Sequence, residues 1–203
     1  MQAQDTETYE TAMKLALEAS QKNDTQTALD LFMSAAKMEP SSPIPHFLMA
    51  AEYMEIGELT KAEACYAQTL LLNPELAIAR FQFGLMLLTS ERTAMALLTW
   101  EPLLKLSNDN SLRLFAEGFA NLITSEHAKA KECFEQGIIN NTENIPLNLD
   151  IQRVLGNINA LQEATEPSTT NEASSENTVA EEIVEETGSH VLLSNYQQLG
   201  TLH

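Results

Sequence analysis

Four histidines are the side chains best suited to acid–base catalysis or metal binding, and their spacing favours neither. None stands beside a cysteine or an acid pair at the spacing of metal ligands. The acid pairs at 181–182 and 185–186 are typical of solvated charge rather than of catalytic acids and bases. No glycine-rich loop follows a strand, so no phosphate-binding loop is indicated. We therefore expect no enzyme activity, metal or cofactor; the histidines are His46, His127, His190 and His203.

The strongest remaining signal is in the apolar residues, which recur with a period of 34 residues. Each repeat has an alanine and, four residues later, a large aromatic side chain. A second small residue precedes each alanine, and we expect it to form a notch that receives the partner helix. A period of this length is typical of stacked helix pairs. The alanines are Ala28, Ala62, Ala96 and Ala130, the aromatics Phe32, Tyr66, Trp100 and Phe134, and the notch residues Ala16, Ala50, Gly84 and Gly118.

Helical spacing of apolar residues predicts four antiparallel helix pairs joined by short connections. Pro102 cannot donate to the carbonyl of Leu98, so we expect a kink or break in the sixth helix. A further amphipathic helix over about 147–162 is predicted to cover the end of the stack. The predicted pairs are 8–21 with 25–38, 44–56 with 59–72, 75–89 with 92–106, and 111–124 with 126–140.

These residues resemble the tetratricopeptide repeat, whose pattern closes with Ala, an aromatic and Pro. Pro40 and Pro74 supply the closing proline in the first two repeats, whereas Glu117 and Asn121 depart from apolar positions in the fourth. The resemblance implies an all-α fold, a right-handed α-solenoid of four helix pairs with a C-terminal capping helix. Its domain is 1–162, and its repeats are about 9–42, 43–76, 77–110 and 111–144.

In this family the first helices of the pairs line the inside of the curved solenoid and hold ligand peptides. The resemblance places four residues of each repeat on that inner stripe, and from the second repeat onward all of them are apolar. A contiguous apolar row indicates an interface. The alternative is that the row packs between neighbouring helices. We predict a partner-binding site centred on Phe47, Phe81, Leu85 and Ile44, with Ile78, Met54, Leu88 and Phe115 around them.

Some members of the family grip the terminal carboxylate of a peptide through Lys, Asn and Arg. None of the five matching residues here fits that pattern, so we expect an apolar or amphipathic segment as the ligand. The matching residues are Met13, Leu17, Leu48, Ile78 and Gln82.

Charge and composition limit the kinds of partner that the chain can bind and the cell compartment in which we expect it. The chain has 11 Lys and Arg against 29 Asp and Glu, a net charge of −18, which disfavours nucleic acid and anionic membrane surfaces. Cys65 and Cys133 are expected to be free thiols, as in a reducing compartment. The polar start shows no secretory signal, and no apolar run approaches the length of a membrane span. We expect a cytoplasmic protein.

The last segment, 163–203, has eight Glu and no basic residue, and we expect it to be mostly disordered. Within it, Leu192, Tyr196 and Leu199 have helical spacing and form a short apolar motif at 191–199.

These patterns predict a protein–protein interaction scaffold or chaperone-like adaptor that binds an apolar segment in its groove. Two alternatives stay open. The chain's own tail could occupy the groove and inhibit it. The chain could also self-assemble, as a homodimer or as an oligomeric assembly factor, including a secretion-system chaperone.

Overall fold

The computed structural model describes residues 8–165, and all regular structure in that range is helical. The expectations for 166–203, including the motif at 191–199, lie outside the described residues. A short 3₁₀ helix, Leu103–Lys105, follows the sixth α-helix. The α-helices are α1 (Tyr9–Gln21), α2 (Thr25–Met38), α3 (Ile44–Glu55), α4 (Leu59–Leu72), α5 (Ala77–Thr89), α6 (Thr93–Trp100), α7 (Ser111–Ile123), α8 (His127–Asn140) and α9 (Ile145–Thr165).

The helix ends follow local capping chemistry. The side chain of Asp24 accepts a hydrogen bond from the Thr27 amide at 3.3 Å, so Asp24 caps α2. Thr25, whose residue type also suits a cap, is instead the first residue of the helix. Gly57 follows α3 with a φ of 73°, the left-handed conformation that is typical of a glycine after the end of a helix. The same left-handed turn recurs at the period of 34 residues, with a φ of 58° at Asn23, Glu91 and Ser125.

Pro102 breaks the sixth helix, which confirms the prediction. Helix α6 ends at Trp100 after eight residues, whereas α4, the equivalent helix of the preceding pair, has 14. The chain continues as the 3₁₀ helix because proline cannot donate the next intrahelical hydrogen bond. The third pair therefore has a second helix of little more than half the usual length.

The helices form two compact units, the first of which contains the described residues up to Ala79. In this unit α1 packs on α2, α2 on α3, and α3 on α4. The rings of Phe47 and Tyr66 lie 6.3 Å apart between their centroids. The repeat residues form its core, as predicted, and are fully buried: Ala16, Ala28, Phe32, Ala50, Ala62 and Tyr66.

The second unit begins at Arg80 and contains most of α5 together with α6–α9. The two notch glycines lie against the aromatic of their own pair: Gly84 against Trp100, and Gly118 against Phe134. The rings of Trp100 and Phe119 are stacked, with their centroids 5.7 Å apart, and this contact joins the third helix pair to the fourth. Small residues therefore admit large rings in this unit, as the repeat pattern predicts.

Helix α9 packs on α8 through Leu147, Ile151, Val154 and Ile158. Leu149 is an apolar residue of the predicted amphipathic helix, yet it is 53 % exposed and does not belong to the buried side. Leu147 is buried instead. Within 8–165 no helix combines the length and apolar character needed to cross a membrane.

Candidate functional site

The structure divides the eight predicted site residues into two groups of four. The first group is at most 4 % exposed, so the expectation that these side chains lie open to a partner is wrong. The second group is half-buried and keeps part of its apolar surface in contact with solvent. The buried residues are Phe47, Phe81, Leu85 and Phe115, and the half-buried residues are Ile44, Met54, Ile78 and Leu88.

Phe81 shows why the buried group serves the core. Its ring centroid lies 6.1 Å from that of Phe115 and 6.2 Å from those of Trp100 and Phe119. Its carbonyl also accepts a hydrogen bond from the Trp100 indole at 2.9 Å. Aromatic pairs at these separations add stabilisation beyond the burial of their area. Phe81 therefore stands at the centre of a packed aromatic cluster, which was the alternative that the sequence left open.

The half-buried residues stand at the ends of the first helices. Ile44 and Met54 lie near opposite ends of α3, while Ile78 and Leu88 lie near opposite ends of α5. A side chain that is already packed on one side loses little rotamer freedom when a partner covers its other side. These four residues can therefore contribute apolar contact at low entropic cost, and their contact with a partner stays a prediction.

A buried carboxylate lies on α3, two residues before Met54. Glu52 is 2 % exposed and hydrogen-bonds to Ser20 and Thr25, at the turn between α1 and α2. Its Oε1 atom is buried and has no hydrogen-bond partner among the described residues. Burial raises the pKa of this carboxyl, and the two hydrogen bonds lower it by less.

Glu52→Gln is expected to flatten the dependence of the Tm on pH. Because the pKa of Glu52 is raised in the folded state, the folded protein binds this proton more tightly than the unfolded chain does. The contribution is fully present below the unfolded value of 4.5 and is lost as pH rises through the folded pKa. The Tm difference between Glu52→Gln and the native chain should therefore be larger at neutral pH than near pH 4.5. Calorimetric melts of both chains across that range measure it, and a constant difference would contradict it.

Burial favours the neutral forms of one histidine and both cysteines. Burial lowers the pKa of His46 and raises the pKa of Cys65 to about 11; the pKa of Cys133 is also raised, chiefly by burial. Both cysteines are free thiols. A raised pKa leaves little thiolate at neutral pH, so neither is an activated nucleophile. The described part of the chain holds no group of three or more His, Cys, Asp or Glu side chains arranged for a metal.

Sequence reasoning missed an exposed apolar surface on α6. Ala94, Met95, Leu97 and Leu98 are exposed on this helix, and we call them the α6 apolar face. The signal was present because Thr93–Trp100 contains no charged residue. Periodicity did not reveal it, since a helix that is apolar on every side reads as a buried one.

The comparisons with known proteins bear on the fold. No protein-family model and no curated protein match the sequence. Two solved structures of MamA, a tetratricopeptide-repeat protein, are similar in fold. The first is MamA from residue 41 to its end, from Desulfovibrio magneticus RS-1, with 16 % identity and a TM-score of 0.57 over 88 % of this chain and 92 % of that one. The second is a MamA RS-1 double mutant, with 18 % identity and a TM-score of 0.57 over 88 % and 93 %.

At these identities the likeness concerns the fold alone. It confirms the predicted all-helical architecture, because the chain shares the fold of these two MamA structures.

Proposed function

We propose that this chain, with its tetratricopeptide-repeat fold, is a non-enzymatic scaffold that holds an apolar or amphipathic segment of another protein against its first helices. One observation carries the proposal. The first helices keep some apolar side chains only half-buried after their core faces are filled, as Ile44 and Met54 on α3 illustrate. The aromatic residues beneath them hold the helices in place, and the exposed atoms above contact the partner.

The five positions that match the carboxylate-binding residues of other family members favour an apolar ligand in this chain. Leu48 and Gln82, two of the five positions of the carboxylate grip, are buried and out of reach of a ligand. Met13 and Leu17 on α1 are half-buried apolar side chains. The accessible part of the first helices thus offers apolar contact rather than a cationic clamp.

The net charge of the first unit indicates which charge the partner segment carries. Residues 8–79 hold four Lys and ten Asp or Glu, a net charge of −6. An acidic surface attracts cationic segments and repels acidic ones, at distances up to about 10 Å at 0.1 M salt. The segment that fits this unit therefore has an apolar face and basic flanking residues.

Met54→Glu is expected to weaken such an interaction. The probe is a basic amphipathic helical peptide, selected from a displayed library for binding to the full-length chain. Loss of one large apolar contact and burial of a new charge should raise its Kd by about 10- to 100-fold. Isothermal titration calorimetry measures the change, and circular dichroism checks that helical content is kept.

Ile56→Glu is the matched control, because Ile56 is an exposed apolar residue at the end of the same helix and outside the predicted site. Its substitution should leave the Kd of the peptide within about twofold, less than 0.5 kcal/mol. Equal losses for Met54→Glu and Ile56→Glu, or failure of the full chain to select any peptide, would contradict the proposed function.

A further inference from the structure

The α6 apolar face keeps large apolar side chains in contact with solvent. Leu98 is 63 % exposed, Met95 46 % and Leu97 37 %. Residues three and four apart are neighbours on a helix surface, so these side chains and Ala94 form one continuous face. The core contact of α6 is made by Ala96 and Trp100, which are buried.

This face departs from the repeat pattern of the chain itself. One period before and after Met95 stand Lys61 and Lys129, and both side chains are exposed in ion pairs with a nearby Glu. One period after Leu98 stands Glu132. The second helices of the second and fourth repeats therefore carry a lysine where α6 has Met95, and the fourth also has a glutamate where α6 has Leu98, although Ala64 stands one period before Leu98. A helix that shows its apolar side to water is stabilised when another segment covers it.

Basic side chains flank the face. Arg92 caps the start of α6, Lys105 lies in the 3₁₀ helix after it, and Arg80 donates to the carbonyl of Thr99 at 3.5 Å. Three of the 11 basic residues of the chain thus lie at the ends of α6 or against it, beside two acidic residues, Glu91 and the Glu101 that pairs with Lys105 at 3.1 Å. An occupant with apolar residues and acidic flanks would match both the face and its surroundings.

We propose that the chain's own segment 191–199 docks on the α6 apolar face. Leu192, Tyr196 and Leu199 supply apolar side chains at helical spacing, and residues 166–186 before them carry seven Glu and no basic residue. The second unit suits such a chain better than the first, because residues 80–165 have a net charge of −3 (seven basic, ten acidic) against −6 for residues 8–79.

The length of chain after α9 allows this contact. Helix α9 ends at Thr165, within the same unit as α6. The 25 residues from 166 to 190 can span at most about 85 Å when fully extended. A unit of this size has a radius of gyration of about 12 Å, so every point on its surface is within reach. Covalent attachment makes the encounter intramolecular and therefore independent of the concentration of the chain.

The inference does not depend on the proposed function, because the α6 apolar face lies on a second helix and the proposed partner contacts lie on first helices. Photocrosslinking of the full-length chain tests it. A benzophenone amino acid at position 98 should crosslink to residues 191–199 of the same chain, as mass spectrometry of the monomer band reports. The same amino acid in place of Leu71, which is 74 % exposed on α4, should give no crosslink to that segment.

Two tail variants provide the matched comparison. Tyr196→Glu places a charge on the apolar side of the motif and should lower the crosslink yield about tenfold, the effect of losing one large apolar contact. Gln197→Glu adds the same charge at the next residue, which is not one of the apolar residues of the motif, and should leave the crosslink yield unchanged. Equal yields for the two variants, crosslinks at 98 that map elsewhere, or no crosslinks would overturn the proposal. Crosslinks that join two chains would also overturn it, because a second copy would then cover the face.

Discussion

Replacement of Phe81 by alanine is expected to lower the free energy of unfolding by about 3–5 kcal/mol, the cost of removing a fully buried aromatic side chain. The expectation rests on the position of Phe81 in the cluster with Trp100, Phe115 and Phe119, where no solvent reaches its ring. The variant leaves a cavity lined by three other rings, which cannot collapse without moving two helices. Urea unfolding of the full-length chain, followed by circular dichroism, measures the loss.

Phe83→Ala is the control, since Phe83 lies on the same helix and is half-buried. Phe83→Ala should lower the free energy of unfolding by less than half as much as Phe81→Ala does. If the two substitutions cost the same, the burial of Phe81 in this account is wrong. The result also bears on binding studies, because Phe81→Glu would abolish binding by unfolding the protein and would say nothing about a contact with the partner.

Gly84→Ala is expected to destabilise the protein by about 3 kcal/mol, at the upper end of the cost of overpacking. A Cβ atom at this position would overlap the indole ring of Trp100. The ring would have to move, and its hydrogen bond to the carbonyl of Phe81 would be lost with it. The higher helix propensity of alanine, worth about 1 kcal/mol, offsets only part of this cost.

Gly156→Ala is the matched control for the same substitution in a helix. No atom beyond the neighbouring residues and the local helix backbone lies within 4 Å of the Cβ position at Gly156, so alanine should stabilise the chain by about 0.5–1 kcal/mol. Trp100 is the only tryptophan of the chain, so its fluorescence reports the site directly. The emission maximum should shift in Gly84→Ala and stay fixed in Gly156→Ala. An unshifted spectrum with unchanged stability in Gly84→Ala would show that the notch is wider than described.

The helix pairs were predictable because every repeat carries two packing signals at fixed positions. One is a small residue on the first helix, and the other is the aromatic residue on the second helix that fills the space beside it. The spacing placed α4 from Leu59 to Leu72 and the end of α2 at Met38, as the structure has them. Pro102 marked the break in α6, because the missing amide hydrogen acts locally and needs no tertiary information.

The candidate site was less predictable because α5 is apolar on nearly every side. Periodicity identifies the buried face of a helix only when polar residues mark the opposite face. On α5 both Phe81 and Leu87 are buried, and so is Gln82 between them, so the pattern could not say which stripe was open. The same limit applies to α6, whose apolar residues are exposed although their sequence resembles that of a core helix.

Oxidative footprinting of methionines in the full-length chain, with and without the selected basic amphipathic peptide, tests the central claim most directly. Met54 is half-buried on α3, and Met95 lies on the α6 apolar face, so the two report different surfaces by the same chemistry. The account predicts that the peptide slows oxidation of Met54 in proportion to the fraction of chain bound and leaves Met95 unchanged. Protection of Met95 with no change at Met54 would contradict it, because the partner would then lie on a second helix.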